Sequence, residues 1–458
     1  MIQKLTRKHF SFSNNPARVI SGSFALVILV GSLLLMLPIS SKSGEVIPFI
    51  NALFTATSAT CVTGLIVYDT FTQFTVFGQL VVILLIQIGG LGLVTITTFF
   101  SFLLGHKLGL RSMIIAQESI SSDNMGNVKS LIRLIVLFSL GVEAVGALVL
   151  STVFVPQYGL QGIFISIFTA ISAYCNAGFD IMGRIAPFTS LTTYVDNTII
   201  VLGVCSLIVI GGLGFAVWYD VLNYRKTKKL TLHAKLVLMM TGILIVVGTV
   251  LFLVFEWKNP KTLGDLSYWG KFLGALFQSV TMRTAGFNTI PLEHMFDQSK
   301  LGSIFLMFIG AAPGSTGGGI KVTTFAVILM TVIGVMRGQE DTIILGRRIG
   351  KEAVYKAFGI FFMAVTVVIV SVILIYFEQI ELGAPMTAID VAFEEVSAFA
   401  TVGASVGISP QASFPSKCLL IFSMYFGRVG PVSLALSFTA RALKRRKEVL
   451  PEGKIIIA

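Results

Sequence analysis

Phe54-Thr55-Ala56-Thr57-Ser58-Ala59-Thr60-Cys61-Val62-Thr63-Gly64 is the stretch that decides the fold, because it comes back. Phe168-Thr169-Ala170-Ile171-Ser172-Ala173 reaches Gly178 in the same ten steps, and Phe393, Ser397 and Ala398 precede Gly403 in the same register. A weaker copy keeps Leu276 in the place of the aromatic and ends Arg283-Thr284-Ala285-Gly286-Phe287. The four glycines lie 114, 108 and 117 residues apart in a chain of 458. The repeating unit is therefore about a quarter of the molecule, and a tandem array of four dictates the architecture.

Composition says where that array resides. The chain is 55% hydrophobic and 12% charged, with a mean hydropathy of +0.88, which is too apolar for a water-soluble globule. Each quarter carries two apolar stretches long enough to cross a hydrocarbon core, which takes about 20 helical residues. The expected spans are 19–38 and 74–104, 131–155 and 194–219, 235–255 and 300–336, and 353–377 and 416–440. Between the two spans of each quarter lies a shorter apolar run, such as Phe49 to Ala59 or Ile389 to Ala398. A dozen helical residues reach only about 18 Å, so such a run enters the membrane partway and returns as irregular backbone. Backbone of that kind is tolerated at membrane depth only where protein buries it or water bathes it.

The predicted fold is all-α and membrane-embedded, with four tandem repeats of helix, pore-helix, filter and helix around one central pore. That makes eight transmembrane helices and four re-entrant half-helices. The organisation reads as a basic cytoplasmic N-terminus (1–18), repeat one (19–104), a cytoplasmic loop (105–130), repeat two (131–224), repeat three (225–336), a second cytoplasmic loop (337–352), repeat four (353–443) and a C-terminal tail (444–458). The first span follows Lys4, Arg7, Lys8 and Arg18 like a secretory signal, but it ends in Leu37-Pro38 without a small-x-small cleavage site and reads as a retained helix.

Lys and Arg number 34 against 22 Asp and Glu, a net charge of +12. The basic residues cluster between repeats and at the ends, among them Arg225, Lys226, Lys228, Lys229, Arg347, Arg348, Arg445 and Arg446. The positive-inside rule then places both termini and the inter-repeat loops in the cytoplasm, with the half-helices dipping in from outside across a plasma membrane. A basic inner face suits anionic membrane lipid, and no nucleic-acid partner is expected.

Four half-helices that aim their C-terminal ends at a common axis present four partial negative charges there, which favours a cation. The returns that follow are Cys61-Val62-Thr63-Gly64, Cys175-Asn176-Ala177-Gly178, Arg283-Thr284-Ala285-Gly286 and Ala400-Thr401-Val402-Gly403. Built mostly of small or uncharged residues, they offer backbone carbonyl oxygens in place of an ion's water shell. Arg283 is the exception; its side chain is expected behind the return, since a guanidinium in the path repels a cation.

Repeat three departs from its fellows with Gly310-Ala311-Ala312-Pro313-Gly314-Ser315-Thr316-Gly317-Gly318-Gly319-Ile320-Lys321 inside an otherwise apolar span. Clustered glycines and a proline defeat a helix, so an unwound loop is expected at membrane depth, lying below the filter and gating it. Its likeness to a phosphate-binding loop is superficial, since Ile320 displaces the lysine and no strand precedes it. Arg428 in the last span costs on the order of 2.5 to 3.5 kcal/mol to bury on insertion scales. Its expected partners are the carbonyls of the 310–319 loop, with a helix end or Glu143 as the alternative. Lys321 is expected to snorkel or to line the cytoplasmic cavity. The glycine runs Gly89-Gly90-Leu91-Gly92, Gly211-Gly212-Leu213-Gly214 and Gly427-Arg428-Val429-Gly430 are expected to be contact surfaces for the pore-helices, with a hinge as the second choice.

With these residues in view, the chain resembles the Trk/Ktr/HKT superfamily of potassium transporters, and within it the bacterial Ktr membrane subunits. The resemblance spans nearly the whole length and is carried by Thr60-Cys61-Val62-Thr63-Gly64, the other three repeat glycines and the glycine-rich break. It implies that Gly64, Gly178, Gly286 and Gly403 lie in a selectivity filter, that potassium is the ion, and that the 310–319 loop is the family's intramembrane loop. It also implies a homodimer docked on a cytoplasmic nucleotide-binding ring of RCK type. No covalent cofactor is implied, and a coupling or activating role for sodium stays open. Only the fourth repeat keeps a Thr-Val-Gly, so a less selective sodium/potassium pathway is an alternative.

Two other readings compete. A secondary transporter of a small organic solute binds its substrate on broken helices, but such folds commonly carry inverted repeats, whereas these four units share one orientation. A membrane enzyme lacks a constellation: His9, His106, His233 and His294 are far apart, and Cys61, Cys175, Cys205 and Cys418 read as small packing residues. Asp69, Asp180 and Asp297 near the returns would concentrate cations at an outer mouth.

Overall fold

The computed structural model describes residues 16–104, 128–381 and 386–430, together with positions 114 and 117. The basic arm before residue 16, most of the 105–130 loop, the last span beyond 430 and the 444–458 tail lie outside the described residues.

Every repeat begins with a long apolar helix: Pro16–Met36, Val128–Tyr158, Leu232–Glu256 and Lys351–Glu381. All four are long and apolar enough to cross a membrane. Their outward faces leave large apolar side chains uncovered, such as Leu29 and Leu33, Val246 and Val250, and Ile369 and Ile373. In water such faces would be a liability; in lipid they are solvated. The chain is a multi-pass membrane protein.

The half-helices follow as Phe49–Thr60, Gln161–Tyr174, Tyr268–Thr281 and Ala388–Phe399, 12 to 14 residues each. They are the most enclosed elements, and each carries a largely buried sequence despite its threonines and serines. Two start on side-chain caps: Ser267 accepts from the Gly270 amide, and Thr387 forms a reciprocal box with Asp390.

The second helices of repeats one and two differ from expectation. The stretches 74–104 and 194–219 are not continuous helices. The first is Val76–Leu91 followed by Leu93–Leu103, bent by 87° at Gly92; the second is Thr198–Gly212 followed by Phe215–Thr227, bent by 97° near Gly214. Gly92 and Gly214 have φ of 81° and 88°, a backbone region that leaves the right-handed helix and that only glycine enters without steric cost. In repeat three the break is longer, between Asp297–Phe308 and Val322–Met336. In repeat four Phe414–Val429 ends at Gly430, with φ 89°. The second helices of the first three repeats thus break, and in the fourth the described helix ends at a glycine of the same backbone conformation, with Pro431 next in the sequence.

The glycines just before these breaks are packing sites, as expected from their sequence. A Cβ on Gly89 would lie 2.0 Å from the Thr60 carbonyl oxygen, one on Gly211 1.9 Å from that of Tyr174, and one on Gly427 1.7 Å from that of Phe399. Each receiving oxygen belongs to the last residue of a half-helix. Glycine is required because the backbone of the second helix rests on that end.

Candidate functional site

Where the half-helices end, the backbone alternates. In repeat one φ is negative at Cys61, +58° at Val62, negative at Thr63 and +97° at Gly64. The same alternation recurs at Asn176 (58°) and Gly178 (68°), Thr284 (75°) and Gly286 (82°), and Thr401 (51°) and Gly403 (89°). Successive residues of opposite handedness turn their peptide groups to the same side, so the carbonyls form a row. Positive φ at Val62, a β-branched residue, and at both threonines is costly and persists only where the surroundings impose it.

Those surroundings are the other three returns. A Cβ on Gly64 would lie 2.4 Å from the Ala177 carbonyl oxygen; on Gly178, 2.5 Å from that of Ala285; on Gly286, 2.4 Å from that of Val402; and on Gly403, 2.1 Å from that of Thr63. Each glycine touches the residue before the next repeat's glycine, and the fourth closes on the first. This is a ring of four backbone segments around one axis, with no room for any side chain.

Hydrogen bonds behind the ring fix it. The Gly64 amide donates to Ser58 Oγ at 3.0 Å and the Gly403 amide to Ser397 Oγ at 3.1 Å, while Thr63, Ala177 and Val402 donate to the carbonyls of Ser58, Ser172 and Ser397 at 2.8 Å. Repeat three has Val280 at the serine position, and there Ala285 donates to the Thr281 carbonyl at 2.9 Å. Arg283 turns behind the return, as its charge predicts: its Nη2 lies 3.5 Å from Thr241 Oγ1 on the first helix of that repeat. The buried hydroxyls of Thr60, Thr63 and Thr401 have no protein partner, which leaves oxygens free for an ion or its water.

Outside the ring opens a cavity of about 500 Å³ lined by all four glycines and by Asp69, Asp180 and Glu293. Asp69 accepts from the Thr72 and Phe188 amides. Burial raises the Asp180 carboxyl to about 6, against the amide of Met182 that favours its charged form. Asp297 is not part of this lining; it opens the helix Asp297–Phe308.

Against the residues that lead into the ring lies the glycine-rich loop. Ile309 and Ile320 pair as a parallel bridge, Gly310 donates to the Ile320 carbonyl at 2.8 Å, and Val322 to that of Ala311 at 3.2 Å, so the loop is closed at its neck. Its flank is stitched to the broken helix of repeat two: Ala312 donates to the Gly212 carbonyl, Thr316 to that of Gly211, and Phe215 to that of Gly314. These are the carbonyls and amide that a bend at Gly214 frees. Ser315 Oγ donates to the Ala312 carbonyl at 2.6 Å. A Cβ on Gly317 would lie 2.1 Å from Thr284 Oγ1, and one on Gly318 2.3 Å from Thr401 Oγ1. A Cβ on Gly319 would meet Ala400 at 3.3 Å. The loop is thus pressed against the inner end of the filter on the side of repeats three and four, with Pro313 and Gly314 at its edge.

Arg428 Nη1 donates to the Thr316 carbonyl, and its Nη2 to that of Gly89 at 2.5 Å. Both expected kinds of partner are therefore engaged at once, the loop and a helix end. Glu143 is elsewhere, accepting from Gln87 Nε2 at 3.0 Å with Cys175 nearby. Lys321 does not snorkel: its Nζ donates to the Gly317 carbonyl at 2.7 Å.

Three buried acids escaped the sequence reading: Glu256, Glu394 and Glu395. Glu394 in the fourth half-helix accepts from Ser405 Oγ, from the Val406 amide, and from the amide and hydroxyl of Ser409, and so holds the chain leaving Gly403. The signal was available, since Glu394-Glu395 is a pair of acids in a half-helix whose counterparts in the first three repeats carry none.

Known proteins resemble this chain. A family model described as TrkH, cation transport protein, matches residues 4–444. The chain is 41% identical over 424 residues, 92% of this chain and 93% of the relative, to the Ktr system potassium uptake protein B of Bacillus subtilis. It is 37% identical over 461 residues, 100% of this chain and 99% of the relative, to the potassium/sodium uptake protein NtpJ of Enterococcus hirae. The crystal structure of the potassium transporter TrkH from Vibrio parahaemolyticus superimposes with a TM-score of 0.69 at 18% identity, covering 94% of this chain and 86% of that one. A match over nearly the full length, on a chain whose four returns close into one ring, identifies the protein: it belongs to the TrkH family of cation transport proteins.

Proposed function

We propose that this chain takes up potassium across the plasma membrane, conducting it through the ring of carbonyls at Cys61–Gly64, Cys175–Gly178, Thr284–Gly286 and Thr401–Gly403. The observation that carries this reading is the closed cycle of glycine contacts, which encircles an axis with backbone oxygen and excludes side chains. The names of the two relatives above support potassium as cargo.

The loop 310–319, with Arg428, is the gate. It stands at the inner end of the filter, and a guanidinium fixed there adds an electrostatic barrier to a cation. Its amide and carbonyl partners lie on the broken helix of repeat two, so opening requires that flank to let go. Both termini are cytoplasmic by the charge of the connecting loops, and the half-helices enter from outside. The molecule works as a homodimer on an RCK-type nucleotide-binding ring, for which the basic inter-repeat loops are the docking face; a relative named as part of a system supports a regulatory partner.

A second reading has its own support. A relative is named for potassium and sodium together, and the inner ring position holds Val62, Asn176, Thr284 and Thr401 rather than four threonines. Weaker discrimination against sodium follows if that ring is what sets selectivity.

The test is rubidium influx in a cell deficient in potassium uptake, with sodium and an organic solute as competitors. Influx blocked by potassium, and only weakly by sodium, is expected. Competition by the solute and none by potassium would end the proposal, and equal competition by sodium would favour the second reading.

A further inference from the structure

Repeat three makes two exchanges on the way to its filter glycine. Three residues before it, where the other repeats carry Cys61, Cys175 and Ala400, stands Arg283; six before it, where they carry Ser58, Ser172 and Ser397, stands Val280. Both exchanges line one small void of about 10 Å³, together with Thr241 on the first helix of that repeat, Gly212 at the end of Thr198–Gly212, and Ala311. Arg283 is only 8% exposed, and its Nε has no protein partner. Its Nη2 reaches Thr241 Oγ1 only at 3.5 Å, the limit of a hydrogen bond. The ion pairs among the described residues do not include it.

A buried guanidinium donor left unanswered is expensive, more so than a neutral one. Water or a small anion could answer it, and size and charge decide between them. A cavity needs about 10–15 Å³ to hold one water, so the void takes one water and nothing larger. Nor does the charge call for an anion, because Arg283 follows the C-terminal end of the half-helix Tyr268–Thr281, where unpaired carbonyls carry partial negative charge. A donor on one wall and a hydroxyl on another are the polar partners that separate a wet cavity from a dry one.

We propose that the void behind the third return is a built site for one water molecule, which accepts from Arg283 Nε, donates to Thr241 Oγ1 and so fastens that return to the first helix of its repeat. Repeats one and four brace their returns from the half-helix itself, through Ser58 and Ser397. Repeat three has given up the serine and is braced from behind. Arg283 is a positioning residue, acting through Thr284, Ala285 and Gly286 and not by contact with the conducted ion. Its effect on ion preference rests on the reading of the ring as a filter, whereas the water site does not.

The first test is crystals of the full-length protein, one set grown in bromide in place of chloride. A peak about 3 Å from Arg283 Nε without a bromide anomalous signal is expected. An empty void, or a bromide signal there, overturns the proposal. The second is Gly212→Ala, whose added Cβ would meet Asn176 at 3.4 Å and Ala311 at 3.9 Å, ordinary contacts that let the methyl take the space. Alanine is favoured over glycine in a helix, so filling a dry void should raise the melting temperature in detergent. Displacing a water that Arg283 needs should instead lower it by a few degrees. We expect the fall, measured against Gly242→Ala, which has nothing within 4 Å, and a rise once Arg283→Met has removed the need for water. A rise in Gly212→Ala alone overturns the site. Should Arg283→Met fail to fold, the density and the single variant decide the matter. In liposomes, Gly212→Ala should weaken potassium over sodium preference in rubidium influx by roughly three- to tenfold, the worth of one hydrogen bond. A lowered melting temperature with unchanged preference overturns the bracing of the filter. Influx through the parent protein that potassium does not block removes the filter reading and leaves the water site standing.

Discussion

At the scale of single residues, the filter depends on a few atoms that have no substitute. An added methyl at Gly403 would sit 2.1 Å from the Thr63 oxygen, and φ of 89° is itself adverse to any Cβ. Gly403→Ala should cut rubidium influx by more than tenfold with protein still in the membrane; influx at the parent level would show that the ring is not the pathway. The serines behind the ring allow a finer contrast. Ser58 and Ser397 hydroxyls accept the glycine amides, whereas the Ser172 hydroxyl has no partner. Leaving a buried amide unpaired costs about 1–3 kcal/mol. Ser58→Ala and Ser397→Ala should therefore lower the melting temperature in detergent and weaken potassium over sodium preference, while Ser172→Ala changes neither. Equal effects at all three positions would contradict the assignment. Asn176 adds a cross-repeat tie that residue spacing could not show, its amide lying 3.1 Å from Thr284 Oγ1.

At the scale of elements, the decisive contact is the second helix of each repeat lying on the end of a half-helix. Gly89, Gly211 and Gly427 hold that contact in repeats one, two and four, with closest approaches to a backbone oxygen of 2.0, 1.9 and 1.7 Å for an added Cβ. Overpacking of this kind costs typically 1–3 kcal/mol, and here the neighbour is backbone, which cannot turn aside. Alanine at any of the three should lower thermal stability clearly, whereas alanine at Gly22 or Gly242, where nothing lies within 4 Å, should leave it within about 0.5 kcal/mol. A thermal-shift series in one detergent compares them directly. These glycines were legible as packing residues in the sequence. The bends three residues further on were not, because Gly92 and Gly214 stand in apolar runs without proline. Helix propensity charges a lone glycine only about 1 kcal/mol, too little to announce a break of nearly a right angle. What bends the repeat-two helix is the loop of repeat three, which claims the carbonyls of Gly211 and Gly212 and offers that of Gly314 to Phe215.

At the scale of the whole molecule, the loop and Arg428 join repeats that are distant in sequence. One guanidinium links the loop of repeat three to the helix end of repeat one from a position in repeat four. Arg428→Ala removes both bonds, and raised rubidium influx without loss of membrane insertion is the expected result; lowered influx would assign Arg428 to assembly alone. Anomalous scattering from rubidium or thallium should show density on the axis beside Gly64, Gly178, Gly286 and Gly403, and density off that axis would overturn the pathway. The sequence by itself determined the membrane setting, the count of four repeats, the half-length helices and the unwound loop, because hydrophobic length and clustered glycine act locally and leave a periodic trace in the chain. Only the tertiary structure decided that the four returns close head to tail, that the second helices of repeats one and two bend by nearly a right angle, and that Arg428, Lys321 and Glu394 find carbonyls, amides and hydroxyls instead of opposite charges. Those outcomes depend on which backbone groups are left unpaired once the repeats pack together, and no single segment carries that information.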